Sequence, residues 1–249
     1  MWHDLPFYIA VGFVAQMIDG AIGMAYGVTA SSVLLSAGVA PATASACVHL
    51  AEVFTTGASG FAHWRLGNVD RALVSRLVLP GMIGGAIGAY VLTSVPGESL
   101  RPWVSAYLLV LGLVIMRKAL FVRSKKSAIA MSRIAPLGFF GGLLDAIGGG
   151  GWGPIVTSTL LGRGAAPKAV IGSVNLAEFF VTVTVSATLV ATIGISLWQI
   201  VLGLVIGGVI AAPFAALATK HLPDRVLMIM VGIVVVALSA RNILRFAME

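Results

Sequence analysis

The chain has 249 residues, 59% of them hydrophobic and only 10% charged, with a formal net charge of +7. A soluble domain carries about 25% charged residues, and this much apolar side chain exceeds what one globule can bury, which excludes a soluble globular class. The positive charge lies in short loops, where it reports membrane topology rather than nucleic-acid binding, and one cysteine, Cys47, excludes an intramolecular disulfide framework or a Cys-ligated metal cluster.

The N-terminus MWHDLPFYIA has no basic region followed by a small-residue cleavage site, so it does not read as a removable signal peptide. Eight apolar segments follow, near 7–35, 41–61, 72–95, 103–122, 134–161, 167–191, 197–219 and 224–246. A spanning helix needs about 20 apolar residues. Backbone amides in hydrocarbon must be paired internally, so runs of this length are expected to be helices. Porin-like strands would alternate apolar with polar, and these segments do not. The expected fold is therefore an all-α integral membrane protein.

The first segment is interrupted at Asp19-Gly20-Ala21-Ile22-Gly23-Met24-Ala25-Tyr26-Gly27. The second carries His49 and Glu52, three residues apart and so on one helix face. The third holds Gly81, Gly84, Gly85 and Gly88, a small-residue pattern that reads as close helix packing, as do Gly203, Gly207 and Gly208 in the seventh. Arg123-Ser124-Lys125-Lys126 lies in a basic linker and is a cytoplasmic topology signal. The fifth segment is interrupted at Asp145-Ala146-Ile147-Gly148-Gly149-Gly150-Gly151-Trp152-Gly153-Pro154, and the sixth carries Asn175 and Glu178. Trp2, Trp103 and Trp198 fall near segment ends, as interfacial anchors do.

An internal repeat organises these segments. Residues 13–56 align without gaps onto 139–182 with 16 identities in 44 positions. The alignment pairs Asp19 with Asp145, Gly23 with Gly149, Gly27 with Gly153, Pro41 with Pro167, and Leu50-Ala51-Glu52 with Leu176-Ala177-Glu178. With one inserted residue it resumes, pairing Gly81 with Gly208 and Pro96 with Pro223. The chain thus reads as one membrane domain of two homologous halves, 1–122 and 134–249, joined by a basic cytoplasmic linker at 123–133. If all eight segments span, the two faces hold 11 and 5 Lys/Arg; if segments 1 and 5 are re-entrant, they hold 13 and 3. The positive excess belongs to the cytoplasm, so the re-entrant arrangement fits better. It leaves an odd number of spans per half and makes the halves inverted repeats, a common transporter architecture.

Consecutive glycines cost roughly 1 kcal/mol each in helix propensity, and Pro154 suits the first turn of a new helix. Each interrupted segment therefore reads as half-helix, turn, half-helix. The second half-helix then begins with N–H groups that protein, water or a ligand must satisfy, at a positive dipole end that favours anions. This predicts a substrate site at Gly23, Tyr26, Gly27, Gly149, Gly150, Gly151, Trp152 and Gly153, with His49 and Asn175 as hydrogen-bond donors. The intramembrane acids Asp19, Glu52, Asp145 and Glu178 are functional by default. They either shape the breaks by accepting their free N–H groups or carry the protons of coupling, and His49 could titrate near neutral pH. No metal site, nucleotide loop or catalytic serine elbow is found, so no cofactor and no enzyme activity is expected. A cation or metal-ion transporter using the four carboxylates is the competing reading.

The duplicated pattern, an Asp and a glycine cluster followed by Leu-Ala-Glu, resembles the TauE/SafE family of sulfite and organosulfonate transporters, also called toluene-sulfonate uptake permeases. The resemblance covers nearly the whole chain, most specifically Asp145 to Pro154, Gly164-Ala165-Ala166-Pro167 and Asn175-Leu176-Ala177-Glu178. It implies a multi-pass protein of the bacterial inner membrane that moves sulfite, sulfoacetate or a related small anion. Homodimerisation is an expectation by analogy with such folds. The first glycine cluster departs from the pattern: Ile22, Met24 and Ala25 stand against Gly148, Gly150 and Gly151, so the two half-sites should be unequal.

Overall fold

A computed structural model describes residues 4–22, 24–121, 133–163, 167–194, 197–218 and 224–248. Gly23, Gly164-Ala165-Ala166, Trp2 and the Arg123–Lys126 linker motif lie outside the described residues. Among the described residues there are helices and no strand. The first half contributes α1 (Leu5–Ile22), α2 (Tyr26–Ser36), α3 (Pro41–Arg65), α4 (Arg71–Ser94) and α5 (Gly97–Phe121). The second contributes α6 (Ile134–Gly148), a π-helical turn (Gly153–Thr157) continuing into α7 (Ser158–Gly162), α8 (Pro167–Ile193), α9 (Trp198–Ala218) and α10 (Asp224–Met248). Both glycine-rich segments are thus interrupted where the sequence predicts.

Four helices are long and apolar enough to cross a bilayer: α4, α5, α8 and α10. Shorter apolar stretches occur in α1, α6 and α9. Apolar side chains such as Phe54, Ile83, Tyr90, Val110, Phe140, Val209, Phe214 and Ile233 face outward, as expected where lipid rather than water is the outer solvent. Trp103 and Trp198, at the starts of α5 and α9, are exposed, 74% and 53%.

Helix packing follows the small-residue pattern. In α4, Gly84 abuts the Phe139 carbonyl and Gly88 that of Leu143, so α4 lies directly on α6. In α9, Gly203 abuts Tyr8 and Gly207 the Ile9 carbonyl, so α9 lies on α1. A side chain at any of these positions would collide with backbone or Cβ atoms. The two contacts are reciprocal: the leading half-helix of each repeat rests on the fourth helix of the other.

Beyond these, α4 also packs on α8, and two further large contacts join repeat-equivalent helices to one another, α3 with α8 and α5 with α10. Both pairs run antiparallel. Along α3, Gly57 faces Phe179 and Gly60 faces Leu176, while beyond its end Asn68 meets Gly172 near the start of α8. Between α5 and α10, Gly112 faces Val235 and Val236, and Gly232 faces Met116. Buried side chains form two clusters, one around α1, α2, α5, α9 and α10, the other around α4, α6, α8 and Trp152. The first break belongs to the former through Met24, Ala25 and Tyr26, and the second to the latter through Ala146 and Trp152.

Candidate functional site

The two breaks touch. Gly27, at the start of α2, lies against the backbone of Gly149 and Gly150, and Gly153 lies against Met24. Hydrogen at the Gly27 and Gly150 Cα atoms is what permits this approach, since a Cβ on Gly150 would collide with the Gly27 carbonyl carbon and the Val28 nitrogen.

Each break is shaped by its own aspartate in the same way. Tyr26 N–H donates to Asp19 Oδ1 at 3.3 Å, and Trp152 N–H donates to Asp145 Oδ1 at 2.9 Å. An aspartate seven residues upstream thus takes the first orphan amide of the second half-helix in both repeats. The rings anchor the same residues elsewhere: Tyr26 hydroxyl donates to the Leu204 carbonyl at 3.2 Å, and Trp152 Nε1 to that of Val174 at 3.3 Å.

The second break has a further layer of side chains. Gly149 and Gly150 have φ of +67° and +152°, leaving carbonyls that no helix pairs. Ser45 hydroxyl donates to the Ala146 carbonyl at 2.7 Å, Tyr107 hydroxyl to that of Gly150 at 3.3 Å, and Ser31 hydroxyl to that of Gly149. His49 is fully buried, its Nε2 3.1 Å from Asp145 Oδ2 and its Nδ1 2.8 Å from the Ser45 carbonyl. A carbonyl only accepts, so Nδ1 carries a proton. The Nε2–Asp145 contact is then satisfied only when a second proton lies between ring and carboxylate.

A small cavity sits at the meeting of the breaks. Its wall holds Asp19, Ala25, Tyr26, Gly27, Val28, Glu52, Asp145, Gly151, Gly153, Pro154 and Glu178. All four intramembrane carboxylates therefore converge on one point, although they come from α1, α3, α6 and α8. Glu52 is 3% exposed; the Gly27 backbone hydrogen-bonds its carboxylate, while Oε2 has no partner. The cavity encloses about 10 Å³, room for roughly one water. The described residues contain no group of three or more His, Cys, Asp or Glu arranged to hold a metal ion.

Of the residues expected to contact substrate, Tyr26, Gly27, Gly151 and Gly153 line this cavity. Gly149 and Gly150 support it from the contact between breaks, and Gly23 is not described. His49, Trp152 and Asn175 stand outside its wall. His49 and Trp152 are engaged as above, and Asn175 Nδ2 donates to Ser59 Oγ at 2.8 Å. Sequence reasoning missed Ser31, Ser45 and Tyr107. They are lone hydroxyls in apolar helices, and only knowledge of which carbonyls the break orphans singles them out.

A family model described as "Sulfite exporter TauE/SafE" matches residues 8–242. The chain is similar to a protein of Bacillus subtilis (strain 168) named "Probable membrane transporter protein YtnM". The two are 41% identical over 242 residues, 94% of this chain and 81% of the relative. No solved structure matches the chain.

Proposed function

Because this chain belongs to the sulfite exporter TauE/SafE family, we propose that it is a secondary transporter of a small sulfur-containing anion, sulfite or an organosulfonate such as sulfoacetate. It is a multi-pass membrane protein of a transporter family, and the relative's bacterial source fits the inner (plasma) membrane. The observation that carries the reading is the meeting of the two breaks: one interrupted helix from each half presents its second N-terminus to a shared cavity. Such termini suit a sulfur oxyanion as they suit phosphate.

The halves are inverted repeats. Equivalent helices related by an axis along the membrane normal would run parallel, whereas α3 with α8 and α5 with α10 run antiparallel. The contact between Ser36, the last residue of α2, and Asn242, near the end of α10, argues the same way. If every segment spanned, those two positions would lie on opposite faces.

Four carboxylates in the wall set the condition for anion binding. Two like charges about 4 Å apart repel by roughly 4 kcal/mol at an effective dielectric constant of 20. An oxyanion is therefore admitted only with protons on these groups, which couples its movement to protons. The groups facing the cavity are Asp19 from α1, Tyr26 from α2, Glu52 from α3, Asp145 from α6 and Glu178 from α8, with His49 and Tyr107 behind Asp145. His49 acts through Asp145 as a positioning residue. The one-water cavity is a closed state, so the breaks must part for a substrate to enter.

The test is flux of labelled sulfite and sulfoacetate into proteoliposomes. Transport should rise as pH falls, because more of the wall carboxylates then carry protons, and Glu52→Gln should flatten that dependence. Absence of flux for both anions would overturn the reading. The unpartnered Glu52 oxygen and the three other acids favour a second reading, a cation transporter. Divalent-cation uptake in the same vesicles, lost in Glu52→Gln and Glu178→Gln, would establish it instead.

A further inference from the structure

A second cavity, lined by none of the residues around the breaks, lies at the far end of α2. It encloses about 180 Å³ among the end of α2, the first turns of α5 and the last turns of α10, and its wall includes Gly38, Glu98, Arg101, Asn242, Arg245 and Phe246. We propose that this pocket binds an oxyanion, either the phosphate of an anionic phospholipid or a free sulfur oxyanion, through Arg101 and Asn242.

The wall contains donors that the protein itself does not use. Arg101 Nη2 donates to the Gly38 carbonyl at 2.8 Å, which fixes the guanidinium, yet its Nε is buried without a partner. Ser36 Oγ donates to Asn242 Oδ1 at 3.1 Å, which orients the amide and leaves Nδ2 buried without a partner. A buried donor left without an acceptor is unfavourable. Two in one wall are a standing cost that an acceptor-rich ligand would remove. A guanidinium and an amide offer N–H donors in fixed directions, the geometry that suits multi-oxygen anions.

Packing alone does not require these residues. At the shift of 127 that pairs Pro96 with Pro223, Met228 stands opposite Arg101 and Ile115 opposite Asn242. The other half therefore builds its equivalent helices with apolar side chains at both places. The face also matters. In the re-entrant topology proposed above, only Arg101, Arg241 and Arg245 of the 16 Lys/Arg fall on the face away from the cytoplasm. Two of those three line this one pocket. Half-exposed Phe246 gives its rim an apolar edge, as an interfacial site has.

The experiment uses the full chain in a neutral detergent. Retention of phosphatidylglycerol is read by native mass spectrometry, and binding of sulfite to delipidated protein by calorimetric titration. The variant Arg101→Met/Asn242→Ile installs the residues that the other half carries, so its folding is supported by precedent within the chain. Asn242→Ile alone serves if the double variant does not give a monodisperse profile. One probe should bind wild type and lose at least tenfold in affinity in the variant. Lipid retention alone identifies a headgroup site, and sulfite binding identifies a free-oxyanion site. No binding of either probe to wild type, or equal binding by wild type and variant, overturns the proposal. Binding in detergent needs no flux, so a failure of transport with this binding intact falls on the transport reading alone.

Discussion

The two breaks share a plan and differ in how firmly they are held. At the second, Asp145 is 1% exposed and joins the Trp152 amide to His49, while Ser31, Ser45 and Tyr107 hold the carbonyls of Gly149, Ala146 and Gly150. At the first, Asp19 is only partly buried and accepts the Tyr26 amide at the longer distance of 3.3 Å. Position 49 carries the asymmetry. His49 reaches across to the aspartate of the other half, whereas its counterpart Asn175 bonds Ser59. Duplication thus fixes where a helix is interrupted, but unpaired substitutions decide which side chains bond each interruption. Among the described residues, the second break is therefore tied to more side chains of its surroundings than the first.

Replacing the two aspartates in turn breaks that comparison most sharply. Asp145→Ala leaves His49 Nε2 and the Trp152 amide buried without partners, a loss of about 3–5 kcal/mol by analogy with breaking a buried pair. Asp19→Ala removes one helix-capping bond, worth about 1 kcal/mol. Thermal unfolding in detergent should show a much lower midpoint for Asp145→Ala than for Asp19→Ala. Equal midpoints would mean that the network around the second break contributes nothing.

The contact between breaks gives the next effect. In Gly150→Ala the new methyl meets the backbone of Gly27 and Val28 at a φ of +152°. Overpacking of this kind costs about 1–3 kcal/mol. Because neither neighbour is a side chain that could swing away, the breaks must separate. Loss of transport with more modest loss of stability is the expected pairing of results. Gly38→Ala, also at positive φ but with open space around it, is the control that isolates backbone strain from collision.

Much of this was legible in the sequence, for reasons visible in particular residues. Asp19 and Asp145 stand seven residues before Tyr26 and Trp152 in both halves, and the glycines between them forbid a continuous helix. Glycine spacing in α4 and α9 announced close packing, although not that each would rest on the other half's first helix. The partner of His49 was hidden because 96 residues separate it from Asp145, and no periodicity spans such a gap. The anchors Ser31 and Ser45 were hidden for another reason: their counterparts are Thr157 and Ile171, so the repeat gives no second copy to notice. The π-helical turn at Gly153–Thr157 has no mark in the sequence beyond Pro154.

The smallest prediction tests the first break through its one strained residue. Ala25 has φ +91°, where the second repeat carries Gly151 and where an L-residue pays roughly 1–2 kcal/mol. Ala25→Gly removes that strain but adds freedom to the unfolded chain, which offsets about 0.4–1 kcal/mol of the gain. The net should be a rise in unfolding midpoint equivalent to no more than about 1 kcal/mol. Its effect on transport separates two roles for the strain. If the held alanine keeps the first break poised against Gly150, the relaxed variant should be slightly more stable and slower in sulfite flux. If transport is unchanged, the strain held at Ala25 plays no part in it.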